Sequence, residues 1–279
     1  MSKNIEEDIS IIITLYKTPI ENIQLLNQYK NFKVLIFNQA EKDDSEKKRL
    51  DDILKFNFEY YSSKKNLGNS RSSNVLLSKV KTKYCLFTQP DVTVDDISIK
   101  KLVNLMKIRE DIIFAGPIIK SNERIKTKDN KQNYIEKKYL DASCMLCDVK
   151  KTREIGFFDE NFFLYWNDED LMARVNKSNY IMIQSLDSFA IHKSSQSSKN
   201  DFKVDLIRGV SFKYGEYLYD YKYKKFRLIK LIRQFIQNFL FMLLNFVFFR
   251  GKKALKNISF LIGIFIFVKF IIFNRKALL

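Results

Sequence analysis

Apolar and polar positions alternate in short blocks over the first two hundred residues, and the blocks read as strands followed by helices. ISIIITLY (Ile9 to Tyr16) is a β-branched run short enough for a buried strand. Thr18-Pro19 and then Glu21 mark a helix start, with Ile23, Leu25 and Leu26 on its apolar side. FKVLIFN (Phe32 to Asn38) is a second strand and Glu41 to Lys55 a charged helical stretch. FEYYSS (Phe58 to Ser63) is a third strand, followed by an Asn66–Asn74 loop and a helix to Lys81. YCLFTQ (Tyr84 to Gln89) predicts a fourth strand, Ile97 to Ile108 a helix with Leu102, Val103 and Leu105 inward, and Ile112 to Ile119 another strand. Ile119 to Tyr139 is polar and predicts a surface loop; Phe202 to Tyr223 predicts a connecting helix. Alternation of this kind predicts an α/β fold on a mainly parallel sheet, with ligands at the carboxyl ends of the strands.

The pattern changes at the C-terminal end. Two apolar segments, Phe235 to Phe249 and Ile258 to Phe273, flank RGKKALKN, and at 15 and 16 residues each is short of a membrane crossing. On a helical wheel Arg227, Lys230, Arg233, Gln234, Gln237, Asn238 and Asn245 mostly share one side, and leucines, isoleucines and phenylalanines crowd the rest. That is the pattern of a helix lying in a membrane interface, while the alternative is a core helix pair packed on a soluble domain. Charge favours the membrane. The chain carries a net +17, yet from Lys222 to Leu279 there are 13 Lys and Arg and no acidic residue, which leaves the preceding 221 residues at +4 (36 basic against 32 acidic). The excess basicity sits beside apolar faces, where it attracts anionic lipid headgroups, and argues against nucleic acid as a partner.

A chain of 279 residues holds one well-buried domain plus an appendage, and 46% hydrophobic content excludes a disordered chain. Cys85, Cys144 and Cys147 give no disulfide framework, which suits a reducing compartment. Cys144 and Cys147 form a CxxC, but in a strand residues i and i+3 point to opposite faces, against a shared metal or redox role. MSKNIEEDIS lacks the apolar core of a signal peptide, so the expected location is the cytosolic side.

The chemistry concentrates between Asp141 and His192. Asp159, Glu160, Asp168, Glu169 and Asp170 lie within twelve residues, among Phe157, Phe158, Phe162, Phe163, Tyr165 and Trp166, and the chain's only histidine closes the segment. A carboxylate against aromatic walls has its pKa tuned and its water excluded, as general-base chemistry requires. The same spacing also suits a plain helix start, where acidic residues are favoured in the first turn.

FFDENFFLYWNDEDLMAR resembles the "GxFDExFFxYxEDxDLxxR" segment of family-2 glycosyltransferases, and LDSFAIHKSSQSS resembles that family's closing strand, "pdaxxxHxxxxS". ISIIITLYKTPIENI is similar to the opening strand and nucleotide-binding turn, NLGNSRSSN (Asn66 to Asn74) to "NxGxxxxxN", and YCLFTQPDVTVDD to the strand ending in "lNPDv", a shortened DxD metal motif. The motifs occur in family order over roughly the first 200 residues and are nearest to the rhamnosyltransferase-like bacterial branch. The resemblance implies a GT-A fold, a mixed and mainly parallel sheet flanked by helices, to which the apolar basic tail adds membrane-associated C-terminal helices. The expected division is 1–200 for the GT-A domain, 201–225 for a connecting helix and 226–279 for a basic apolar tail.

Roles follow residue by residue from the resemblance. Leu15 and Tyr16 match the turn that meets the nucleotide base, and Asn38 stands where many relatives have an Asp that reads it. Asn66, Gly68 and Asn74 fit the loop that shapes the nucleotide pocket. Asp91 matches the last Asp of the DxD motif and His192 the family's terminal histidine; together they imply a divalent cation, Mg²⁺ or Mn²⁺, bridged to the donor diphosphate. Asp168 matches the general base, with Glu169 as the fallback, and Asn167 replaces the family's preceding Glu. Asp95 and Asp96 read as the N-terminal acids of the next helix. The implied function is an inverting transfer of a sugar, rhamnose by the branch resemblance, from a nucleotide-diphosphate donor to a growing polyprenyl-linked glycan. The site would lie on the cytoplasmic face of the inner membrane. Asn38, Gln89 and Asn167, all departures from the family pattern, support the alternative of a catalytically weakened membrane-bound scaffold of polysaccharide assembly.

Overall fold

The computed structural model describes residues 5–39, 45–120, 133–193, 197–198 and 201–274. The chain divides into two compact units, Met1–Asp159 with Leu171–Lys199, and Glu160–Asp170 with Asn200–Leu279.

The first unit is built on one mixed sheet. Its strands are β1 (Ile9–Leu15), β2 (Lys33–Gln39), β3 (Phe58–Ser63), β4 (Tyr84–Thr88), β5 (Val92–Val94), β6 (Ile112–Lys120), β7 (Tyr134–Lys137), β8 (Cys144–Asp148) and β9 (Ile181–His192). They lie in the order β3-β2-β1-β4-β8-β6-β9-β5, with β7 on β9. The β3-β2-β1-β4 half is parallel, and β8 enters antiparallel to both β4 and β6. Strands β1, β2 and β4 are apolar on both faces because helices cover both: Ile11, Ile13, Val34, Ile36 and Leu86 serve one layer, and Ile12, Leu35, Phe37, Cys85 and Phe87 the other. Cys144 and Cys147 fall in opposite layers, as their spacing requires.

The helices of this unit are α1 (Ile20–Leu25), α2 (Ser45–Ile53), α3 (Gly68–Lys79), α4 (Asp96–Met106) and α5 (Val149–Ile155). The Asp95 carboxylate caps α4 by accepting from Ser98 N at 2.6 Å, a cap that contributes about 0.5–2 kcal/mol. One expectation needs correction. The polar stretch after Ile119 contains β7, which pairs antiparallel with β9. It is four residues long and mostly exposed, so no inward apolar face announced it.

Helix α6 (Asn167–Val175) carries the boundary between the units, which falls after Asp170. The second unit consists of the segment from Glu160 and three helices, α7 (Phe202–Lys222), α8 (Leu228–Val247) and α9 (Gly251–Asn274). Its core is Phe162, Tyr217, Leu218, Leu231, Ile264 and Phe267. Glycines bring α7 and α9 close: a Cβ on Gly263 would lie 2.7 Å from Val210 O, and one on Gly209 would run into Ser259.

Helix α8 is inverted relative to a soluble amphipathic helix. Part of its polar stripe faces the neighbouring helix α9: Asn257 Nδ2 donates to Asn238 Oδ1 at 3.1 Å and Asn245 Nδ2 to Asn257 Oδ1 at 3.1 Å. The outward positions are apolar, among them Ile229 (82% exposed), Ile236 and Leu240. The wheel groups these residues only in part as expected: Asn238 and Asn245 turn inward because Asn257 of α9 partners both, whereas Arg233 and Gln237 are exposed beside the outward apolar positions. Among the described residues one helix, Gly251–Phe273, is long and apolar enough to cross a membrane.

Candidate functional site

Strand order reverses at β1, which has β2 on one side and β4 on the other. In open α/β sheets this places a ligand crevice at the carboxyl ends of those strands. Leu15 ends β1, Tyr16 follows it, and Asn38 lies near the end of β2, so the sheet brings these predicted residues to one edge. The turn after Tyr16 is tight: Tyr16 N donates to Thr18 Oγ1 at 3.3 Å, and Lys17 has φ +48°. Asn38 Nδ2 donates to the Tyr60 hydroxyl at 3.4 Å.

The Asn66–Asn74 segment starts α3. Asn66 Oδ1 accepts from Gly68 N at 3.0 Å, closing a turn in which Gly68 takes φ +80°, a conformation glycine adopts without steric cost. Thr14 Oγ1, near the end of β1, donates to Asn69 Oδ1 at 3.3 Å and so ties the crevice edge to α3. Asn74 faces elsewhere: its amide donates to Phe158 O at 2.9 Å and accepts from Phe158 N at 3.0 Å. This is a clamp on the Phe158-Asp159 turn. The Phe158 ring stands edge-on to Phe87 on β4, with centroids 5.0 Å apart.

After β4 the chain turns through Gln89-Pro90 to a fully buried Asp91. Gln89 N donates to Ser143 O at 3.1 Å, and Lys193 N donates to Asp91 O at 3.1 Å. Because β5 runs antiparallel to β9 with Val92 opposite His192, the last residue of β9 is set beside Asp91. His192 Nε2 lies 3.6 Å from Asp91 Oδ2, and Ser197 Oγ donates to Asp91 Oδ1 at 2.9 Å. Burial pushes the Asp91 carboxyl up, but the His192 ring and the Ser197 hydroxyl outweigh it and hold the group below its ordinary value. The Asp91 carboxyl raises His192 in turn, against the effect of burial.

His192 Nε2 is buried and has no hydrogen-bond partner among the described residues. A buried imidazole nitrogen facing a carboxylate oxygen fits a divalent cation. No group of three or more His, Cys, Asp or Glu occurs together among the described residues, so a cation here would have at most these two side chains as protein ligands. Mg²⁺ and Mn²⁺ sites of this kind are completed by waters and substrate phosphate oxygens. Sequence reasoning assigned no role to Ser197 or Asn69. Each lies inside a quoted motif: Ser197 is the Ser of "HxxxxS", and Asn69 follows Gly68.

Asp168 belongs to the second unit, in the first turn of α6. Trp166, just before the helix, takes φ +70°, a left-handed conformation that is costly for a bulky residue. The surroundings hold it there. Its Nε1 donates to Phe212 O at 3.0 Å, its ring packs on Phe212 and Tyr219, and a Cβ on Gly215 would come within 2.7 Å of its Cδ1. Asp170, fully buried, accepts from Lys222 Nζ at 2.7 Å and from the Tyr223 hydroxyl at 2.9 Å. These contacts fix the orientation of the turn that presents Asp168.

Burial and then the adjacent Asp168 carboxyl push Glu169 up to about 8. Its Oε2 is buried without a hydrogen-bond partner among the described residues. Glu169 therefore keeps its proton at neutral pH, and a protonated carboxyl is no base. The raised value also has a stability consequence. The contribution is full below about 4.5 and is lost as pH rises through about 8. Glu169→Gln removes this titration, so its melting temperature should fall less than that of the wild type between about pH 5 and about pH 9. Equal slopes for the two proteins would contradict the assignment.

The family model described as Glycosyl transferase family 2 matches residues 10–171. Among solved structures, the chain is similar to the mannosyltransferase PcManGT from Pyrobaculum calidifontis in complex with GDP-Man and Mn²⁺. The TM-score is 0.53 at 11% identity, over 76% of this chain and 64% of that one. It is also similar to residues 1–349 of S. aureus TarS in complex with UDP-GlcNAc, with TM-score 0.51 at 15% identity, over 73% of this chain and 66% of that one. The chain thus spans slightly less than two thirds of either structure. No curated protein matches it.

Proposed function

The chain belongs to glycosyl transferase family 2, and from that premise we propose that it moves a sugar from a nucleotide-diphosphate donor to a lipid-linked, growing cell-surface glycan, with inversion. The observation that carries the reading is the buried Asp91 carboxylate facing the half-buried His192 ring at the carboxyl edge of the sheet, a carboxylate and an imidazole that would meet a diphosphate and its cation. With Mg²⁺ or Mn²⁺ bound, the site would neutralise charge on the departing diphosphate. Tyr16 and Asn38 border the base of the nucleotide, and Asn66 and Gly68 shape the wall beside it. Asp168 removes the proton from the acceptor hydroxyl as the bond to the sugar forms, which is the step an inverting transfer requires. Rhamnose as the sugar rests on the likeness of the motifs to the rhamnosyltransferase branch.

The same reading places the enzyme at the cytoplasmic face of the inner membrane. What supports it is the outward apolar surface of α8 together with the acid-free, basic sequence from Lys222 onward. Each Lys or Arg near an anionic surface contributes about 1 kcal/mol.

A panel of nucleotide sugars, each with and without Mn²⁺, tests the donor assignment by thermal shift of the full-length protein. A true donor at one hundred times its Kd stabilises the fold by about 2.7 kcal/mol. The expected result is cation-dependent stabilisation by one donor class, dTDP-rhamnose among the candidates. Stabilisation by none of them would favour the scaffold reading.

A further inference from the structure

We propose that the α8–α9 pair lies along an anionic lipid surface, in the plane of one leaflet, and does not cross the bilayer. The proposal rests on the membrane reading above and fixes the orientation that reading leaves open. Length does not decide the matter, because 20 and 24 residues reach ~30 Å and ~36 Å, enough for a hydrocarbon core of ~30 Å. The packing of α9 does. Over Ser259 to Phe270 this helix is bound to α7, with Gly263 against Val210 O, Tyr217 stacked on Phe267 at 5.3 Å and Tyr214 edge-on to Phe270 at 6.1 Å.

At the same level α7 carries a charged network shared with α8. Lys213 Nζ pairs with Glu216 at 2.6 Å, and Lys230 Nζ pairs with Glu216 and with Asp220 at 2.8 Å each. A crossing α9 would draw these ions into hydrocarbon, where ionised side chains are expensive. Lying flat, the pair keeps the network out of the hydrocarbon and gives the leaflet the outward apolar positions of α8.

Charge placement agrees. Arg227 and Arg233 lie at the start of α8, Arg250, Lys252 and Lys253 at the turn into α9, and Lys269 near the end of α9. A flat pair brings all of these to headgroup level at once. A crossing hairpin would have to carry the cluster at the turn through the bilayer, against the tendency of basic residues to stay on the cytoplasmic side. Inside the pair, the Asn238–Asn257–Asn245 ladder joins the two helices, so they enter the surface as one body.

Site-directed labelling tests this on the full-length protein. The native Cys85, Cys144 and Cys147 are buried, so an introduced surface cysteine takes the label. Lys252→Cys at the turn and Ile236→Cys on the outward face of α8 are each bound to sealed phosphatidylglycerol/phosphatidylcholine vesicles by flotation. They are then treated from outside with a membrane-impermeant maleimide. The flat orientation predicts full labelling of Lys252→Cys without detergent and at least tenfold slower labelling of Ile236→Cys on vesicles than in solution. Protection of Lys252→Cys until detergent opens the vesicles would show that the pair crosses, and overturns the proposal while leaving membrane binding intact. Failure of the wild type to float with the vesicles would overturn the membrane reading and this inference with it.

Discussion

Asp168→Asn should lower sugar transfer by about 10²–10⁴-fold, the contribution of a positioned general base, while donor binding stays near the wild-type value. The substitution keeps the size of the side chain and its place in the first turn of α6. The supports of that turn are untouched: Asp170 remains bound by Lys222 and Tyr223, and Trp166 remains held by Phe212. In the wild type Glu169 holds its proton at neutral pH through burial and the Asp168 carboxyl; Asp168→Asn removes the second cause and leaves burial, the larger one, so Glu169 stays raised but by less. Residual activity of Asp168→Asn that climbs with pH, and is absent from the double variant with Glu169→Gln, would identify Glu169 as the substitute base. Glu169→Gln alone should retain most activity at neutral pH.

The second large effect is expected at Asp91. Asp91→Ala should remove the Mn²⁺-dependent part of nucleoside diphosphate binding and weaken affinity by tenfold or more, about 1.4 kcal/mol per factor of ten. Part of the loss would be structural, since the half-buried Ser197 hydroxyl loses its acceptor, at about 1–3 kcal/mol of stability. Asp91→Asn separates the two effects. It preserves volume and an acceptor for Ser197, so it should stay folded yet still lose cation dependence. His192→Ala should lose the same dependence without touching the Ser197–Asp91 bond. Calorimetric titration of a nucleoside diphosphate with and without Mn²⁺ checks all three variants. Unchanged cation dependence in Asp91→Asn and His192→Ala would remove the pair from the metal site.

How far the sequence carried this picture depended on burial. Strands β1, β2 and β4 were legible because both of their faces are covered, which forces unbroken apolar runs. Strand β7 was not, because a short edge strand exposed to solvent needs no such run. The carboxylate cluster after Phe157 and the closing histidine were legible as motifs, and the resemblance set His192 with Asp91, but the supporting contacts around them were not legible. Ser197 reaches Asp91 across 106 positions, and Asn74 reaches Phe158 across 84. Such pairings come from tertiary packing of segments distant in sequence, which no local pattern encodes. Helix α8 shows a different limit. Its periodicity groups Gln234, Asn238 and Asn245 correctly, but which side faces the neighbouring helices depends on Asn257 of α9, which supplies the partner for Asn238 and Asn245. Likewise, the protonation of Glu169 is set by burial and by Asp168, not by residue type.

The central claim is that this fold transfers sugar with Asp168 as its base. Its most direct test sets the turnover of one nucleotide-sugar donor beside the binding of the corresponding nucleoside diphosphate, for wild type and Asp168→Asn, at neutral pH with Mn²⁺ present. The expected result is measurable turnover in the wild type, a loss of two or more orders of magnitude in the variant, and dissociation constants within about twofold of each other. Equal turnover in the two proteins, or no turnover of any donor by a wild type that binds nucleotide, would contradict it.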